Sequence, residues 1–176
     1  MDFGSGGKVV FSILDNNLGR RVQIQPDGRI VMTGAVCRDL GGDEAYCYLG
    51  VARVDQRGAL DPDFGGTGKV FTDVGSFGGS ALDLAVQSDS KIVVVGGRAL
   101  DSNFTIGNAI LIRHQPDGSL DGTFGLNGIS ETNFGYSSSG SASLCIQSDG
   151  RIVTAGSTSR GVARGASAVT ARYLGQ

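Results

Sequence analysis

The chain predicts an all-β fold built from one unit written three times. A Phe-Gly step recurs at Phe3, Phe64 and Phe124, a period of about 60 residues. A turn-and-strand block recurs with it, as Gln25-Pro-Asp-Gly-Arg-Ile30, Gln87-Ser-Asp-Ser-Lys-Ile92 and Gln147-Ser-Asp-Gly-Arg-Ile152. Between these markers the apolar residues alternate with period two, which argues strands rather than helices.

Each unit reads as four short strands. In the middle unit, residues 69–74 are the first strand. Residues 80–87 are the second, with Leu82, Leu84 and Val86 on one face. Residues 91–97 are the third; Ile92 to Val95 are apolar on both faces, so burial on both sides is expected. Residues 108–114 are the fourth. Val22 and Ile24, and Leu144 and Ile146, match Leu84 and Val86 in the flanking units. The steps Asp27-Gly28 and Asp149-Gly150 suit tight hairpins, because glycine accepts positive φ without steric cost. Gly34, Gly96 and Gly156 each close a third strand, where backbones crowd. Four antiparallel strands per unit and no helix describe a β-propeller blade. A β-helix, whose coils are much shorter, is the second reading. The expectation is therefore one propeller domain over residues 1–176, with three four-stranded blades at roughly 1–60, 61–120 and 121–176.

Composition agrees and narrows the function classes. Thirty of the 176 residues are glycine and only three are proline, which signals many tight turns rather than disorder. Fifteen basic and 17 acidic side chains leave a net charge of −2. No basic stripe exists, so nucleic acid and anionic membrane are not expected partners. The longest apolar run, Ile92 to Val95, is far short of the ~20 residues of a spanning helix. The segment Met1 to Gly7 has neither a basic n-region nor an apolar h-region and does not read as a signal peptide.

Cys37 and Cys47 bracket one short loop. A hairpin-closing disulfide is the preferred reading and two free thiols the other. An oxidised pair would point to a secreted or periplasmic location. No histidine or third cysteine lies near them, so no metal centre is expected. Cys145, inside an apolar strand, reads as a small core residue.

The linkers Leu60-Asp-Pro-Asp-Phe-Gly-Gly-Thr-Gly68 and Leu120-Asp-Gly-Thr-Phe-Gly-Leu-Asn-Gly128 are followed by the Gln-x-Asp-Gly-Arg/Lys-Ile-Val block, a glycine, and Ala-Arg-Tyr/Val. This combination covers nearly the whole chain and resembles the bacterial delta-60 repeat family. Gly96-Gly97 is more loosely similar to kelch propellers. The resemblance implies a propeller, usually of more than three repeats. It carries no established activity, so it brings no catalytic residue and no cofactor. The chain departs from the pattern at Ser90, where glycine is expected, and in its first linker, cut short at Met1.

Little chemistry stands outside the repeat. His114 is the single histidine, with no nucleophile or carboxylate patterned around it, and reads as surface or strand-end filler. Arg53, Arg113 and Arg172 recur, so they read as structural, pairing with aspartates such as Asp61 and Asp121 or with linker carbonyls. Gln25, Gln87 and Gln147 read as partners for hairpin backbone groups. The linker aspartates lack calcium-loop ligand spacing. Catalytic, cofactor and metal residues are therefore expected to be none. The loops joining strands 1–2 and 3–4 share one face and do not repeat, and binding residues favour loops on a rigid scaffold. That face offers the aromatics Tyr46, Phe77, Phe104 and Tyr136 and the cations Arg38, Arg98, Arg160 and Arg164. The leading functional reading is a non-catalytic binding or interaction module. The alternatives are a structural repeat scaffold, or a fragment of a longer one, and a propeller enzyme such as a hydrolase or lyase. Known propellers use about four to eight blades. The expected assembly is therefore a homodimer, two three-blade arcs closing one six-bladed ring.

Overall fold

The computed structural model describes residues 3–41, 44–102, 107–135, 138–159 and 165–175, and among them the chain forms eleven strands and no helix. β1 (Asn16–Ile24), β2 (Ile30–Gly41), β3 (Glu44–Val54) and β4 (Lys69–Thr72) make an antiparallel meander in chain order. β5 (Gly79–Val86), β6 (Ile92–Ala99), β7 (Gly107–His114) and β8 (Ile129–Thr132) make a second. β9 (Ser138–Ile146), β10 (Ile152–Ser159) and β11 (Ala166–Tyr173) make a third, of three strands. One parallel pair, Gly107 opposite Ser138, ties the second meander to the third. Among the described residues the sheets do not close into a ring.

The phase of the unit differs from the sequence reading. The strand at 69–72 does not open the second meander. It lies along β3, with Leu49 opposite Thr72 and Ala52 opposite Lys69. β8 lies along β7 in the same way. The linker is the cause. The Arg53 N–H donates to the Gly68 carbonyl, the Asp61 N–H to the Arg53 carbonyl, and the Gly68 N–H to the Phe64 carbonyl. These bonds fold the chain back onto the strand it has just left. The matching segment at residues 8–12 forms no strand.

Buried arginines fix each linker. Arg53 Nε lies 2.7 Å from Asp61 Oδ2, and its Nη1 donates to the Pro116 carbonyl at 2.5 Å. Arg113 repeats this with Asp121 at 2.7 Å and the Gly175 carbonyl at 2.6 Å. Each guanidinium also lies over a linker ring, Phe64 at 4.8 Å and Phe124 at 4.6 Å. The linker aspartates thus face cations. Arg172 departs from the pattern: it is exposed.

The core follows from the double-faced β6. Ile92 and Val94 pack with Leu84, Ile110 and Ile112 against Val31, Leu49, Val51 and Phe64 of the first meander. Val93 and Val95 point the other way, and with Leu111 and Phe124 they meet Leu144 and Ile152 of the third. One strand therefore holds two seams, each buried side chain contributing ~1.5–3 kcal/mol. At the repeated glycines the backbones nearly touch. A Cβ on Gly34, Gly96 or Gly156 would lie 1.8, 2.0 or 1.9 Å from the carbonyl oxygen of Leu18, Ser80 or Gly140. The ladder slips register beside each glycine, a β-bulge that brings the two chains together.

Two residues sit elsewhere than the sequence suggested. Cys145 is exposed, not core. It alternates with Leu144 and Ile146, and those face the seam. His114 does end a strand, β7, but is buried rather than at the surface, and its Nδ1 lies 3.0 Å from the Gly118 carbonyl. The glutamine side chains do not serve their hairpins, which close backbone to backbone. Gln87 reaches the Gly175 carbonyl instead, at 3.3 Å.

Candidate interaction surface

Strand direction sorts the connections between two edges. The Gln25–Arg29 and Gln87–Lys91 turns and the linkers lie at one edge. The β2–β3 hairpin and the β4–β5 and β6–β7 connections lie at the other, as does the start of β9. β2 and β3 are 12 and 11 residues long, against 8 for β6 and β7, so their ladder runs further toward this edge. Cys37 and Cys47 are directly opposed and disulfide-bonded there, Cα–Cα 4.0 Å. At the same register the second meander has only Ala99 opposite Gly107.

The segment between β4 and β5 is clamped against this hairpin. The Tyr46 hydroxyl donates to Asp73 Oδ1 at 2.6 Å and also contacts the Gly75 carbonyl. Desolvation, and then the hydrogen bond to Asp73, push the Tyr46 phenol up to about 12. Asp73 Oδ1 also accepts the Gly75 N–H at 2.9 Å. The Gly78 N–H closes a turn on the Gly75 carbonyl, and the Ala99 N–H donates to the Gly78 carbonyl. Gly78 has φ +72, and a Cβ there would lie 2.5 Å from the Cys47 carbonyl oxygen, so the turn abuts the disulfide. Phe77 rides on this turn and is 40 % exposed.

Arg98 stands on the far side of the same turn. Its Nη1 pairs with Glu131 Oε2 at 2.8 Å. Asn108 Nδ2 donates to Glu131 Oε1 at 2.6 Å. Arg98 Nε and Asn108 Oδ1 are buried without a hydrogen-bond partner. Asp73, Val74, Arg98, Ile110, Ile129 and Glu131 line a cleft of about 310 Å³ beside it. Tyr46, Tyr48 and Phe71 run down the flank, ring centroids 4.8 and 5.0 Å apart.

The structure thus gathers Tyr46, Phe77 and Arg98 around one turn. Arg38 lies opposite Tyr46 across the hairpin and is exposed. Phe104, Tyr136, Arg160 and Arg164 lie outside the described residues. Sequence reasoning passed over Asp73, Asn108 and Glu131. Their nearness appears only once residues 69–72 and 129–132 are placed as outer strands. It also passed over Asp83, on β5. Asp83 takes Arg21 Nε of β1 at 3.0 Å and the Leu144 N–H of β9 at 2.9 Å, joining all three meanders at their first strands.

Among the described residues no cluster of His, Cys, Asp and Glu is arranged to hold a metal ion, and no helix is long and apolar enough to cross a membrane. No curated protein and no solved structure matches the chain. Residues 87–124, from the β5–β6 turn through the linker to Phe124, match a family model described as Domain of unknown function (DUF5122) beta-propeller.

Proposed function

We propose that the chain is a non-catalytic interaction module of propeller architecture. Its three meanders are blades, and it meets its partner through the Phe77 turn. The delta-60-like repeat spelling supports the blade reading. The observation that carries the contact reading is Phe77 itself, a large apolar side chain held in water on a turn pinned from both sides. Pinning lowers the ordering cost of binding, and a pre-organised aromatic flanked by charge is the usual make-up of an interface anchor. Arg98, Glu131 and Asp73 supply the polar rim.

A photo-crosslinking amino acid at position 77, with one at exposed position 88 on the opposite edge as control, tests the reading in lysate of the source cells. Adducts formed from position 77 alone, and competed away by unlabelled protein, are expected. Equal labelling from both positions, or none from either, would favour a scaffold without a ligand on this edge.

A further inference from the structure

We propose that residues Lys8–Phe11 of one chain form the outer strand on β11 of a second copy. Two copies then join head to tail in one ring of six blades, within the ~four to eight of known propellers. The register of the repeat leads there. Phe3, Gly4 and Gly7 stand where Phe64, Gly65 and Gly68 stand in the next linker, and Phe124, Gly125 and Gly128 in the one after. Lys8–Phe11 therefore corresponds to β4 and β8.

The segment is already seated on the first blade as a preceding blade's linker would be. The Gly4 N–H donates to the Arg57 carbonyl at 2.7 Å, as the Gly65 N–H donates to the Asp117 carbonyl at 2.7 Å. Phe3 lies against Gly58 as Phe64 lies against Gly118. Yet none of the described strands pairs with it, and Val10 is 95 % exposed. At the other end, β3 and β7 each carry an outer strand, while β11 carries none among the described residues. Arg172 is exposed and has no ion-pair partner there, whereas its counterparts Arg53 and Arg113 are 4 % and 0 % exposed.

The two end faces are the two halves of a seam that the chain makes twice within itself. Val22, Ile24, Ile30 and Met32 of the first blade correspond to Leu84, Val86, Ile92 and Val94, which form one side of the first seam. Val22 and Ile24 are exposed. Cys145, Val153 and Ala155 correspond to Ala85, Val93 and Val95, on one side of the second seam. A groove of about 260 Å³ lined by Val9, Met32, Val36 and Ala52 lies where such a face would dock. Within one chain the second blade separates these faces, its two sides being taken by the first and third. A second copy brings them together twice, with twofold symmetry.

The pairings Leu49–Thr72 and Ala109–Thr132 set the register. They place Ala168 opposite Phe11, Val169 opposite Val10, Thr170 opposite Val9 and Ala171 opposite Lys8. Arg172 then reaches the Gln56 carbonyl of the second copy, as Arg53 reaches Pro116 and Arg113 reaches Gly175. The Arg53 N–H bond to the Gly68 carbonyl fixes which pairs share hydrogen bonds. By that alternation Val10 and Val169 form a non-hydrogen-bonded pair, the closer kind, within reach of a disulfide.

The experiment is the full-length double variant Val10→Cys, Val169→Cys in a Cys145→Ala background, air-oxidised and read by non-reducing gel and intact mass. A covalent species at twice the 18.0 kDa chain mass is expected, absent from either single variant. Thiols left free, a cross-link within one chain, or a ladder of higher multimers would overturn the proposal. Light scattering adds a second arm. Val9→Pro removes an N–H that the ladder to β11 needs, from a segment that forms no strand in the free chain. It should halve the measured mass and leave the far-ultraviolet β-sheet signal unchanged. A Val9→Pro protein still at twice the chain mass would also overturn the strand exchange.

Discussion

At the scale of single residues, the repeat shows how much one side chain can be asked to do. Arg113 and Asp121 are both 0 % exposed and bonded to each other. Removing one partner of such a pair leaves a buried charge alone. Arg113→Leu or Asp121→Asn should cost ~3–5 kcal/mol in denaturant unfolding, against about 0.5 or less for exposed Arg172→Ala measured on dissociated chains. Similar losses for Arg113 and Arg172 would show that the exposed arginine is held by contacts the free chain does not display. Ser90 makes the complementary case. The sequence singles it out as the wrong residue for its turn, and the backbone holds it at φ +67, beside +82 at Gly28 and Gly150. The turn geometry is thus imposed by the hairpin rather than by the residue. An L side chain in that region is strained, so Ser90→Gly should raise stability by about 0.5–1 kcal/mol, less what glycine adds to unfolded-chain entropy. A lower melting temperature would show that the serine side chain supplies more than it costs.

At the scale of elements, the period was legible but its phase was not. Alternation and turn residues locate β5, β6 and β7 closely, because those strands carry their own patterns. β4 and β8 are four residues each. Nothing in Lys69-Val-Phe-Thr72 says which neighbour it pairs with; the linker bonds of Arg53, Asp61 and Gly68 decide that, and they form only in three dimensions. The same limit hid Asp73 and Glu131 from the candidate surface. Cys145 was misjudged because one strand faces a seam with Leu144 and Ile146 and solvent with the residue between. The opposition of Cys37 and Cys47 was legible from spacing, since two residues flanking one loop face each other across a hairpin. We expect Cys37 and Cys47 to resist alkylation until reductant is added, and Cys37→Ala with Cys47→Ala to cost ~2–3 kcal/mol for so short a loop. Ready alkylation of both without reductant would remove the disulfide from the account.

At the scale of the whole molecule, stability should follow the middle blade, because β6 supplies both seams. Two buried groups of that blade and its linker, His114 and Asp121, both lower stability toward acid. His114 is buried, and that desolvation holds its imidazole below the ordinary value of 6.5. With a depressed folded pKa, the unfolded chain takes up a proton first. Stability is then complete above about pH 6.5 and falls as pH drops below it. For Asp121, burial works to raise the pKa. Hydrogen bonds from the Thr123 hydroxyl and amide and from Lys91, with the charge of Arg113, overcome that and hold the carboxyl well below its usual range. Its contribution is complete above about pH 4 and is lost below. The chain has one histidine, so the upper step is assignable. Val54, its counterpart in the first repeat, supplies a replacement the fold already uses at that place. Melting temperature followed from pH 8 to pH 3 should show wild-type protein declining from near pH 6.5. His114→Val should stay flat to about pH 4, and both should decline below that. A wild-type curve flat between pH 7 and pH 5 would mean that His114 takes up its proton as readily folded as unfolded. The strand end it occupies would then be open to water.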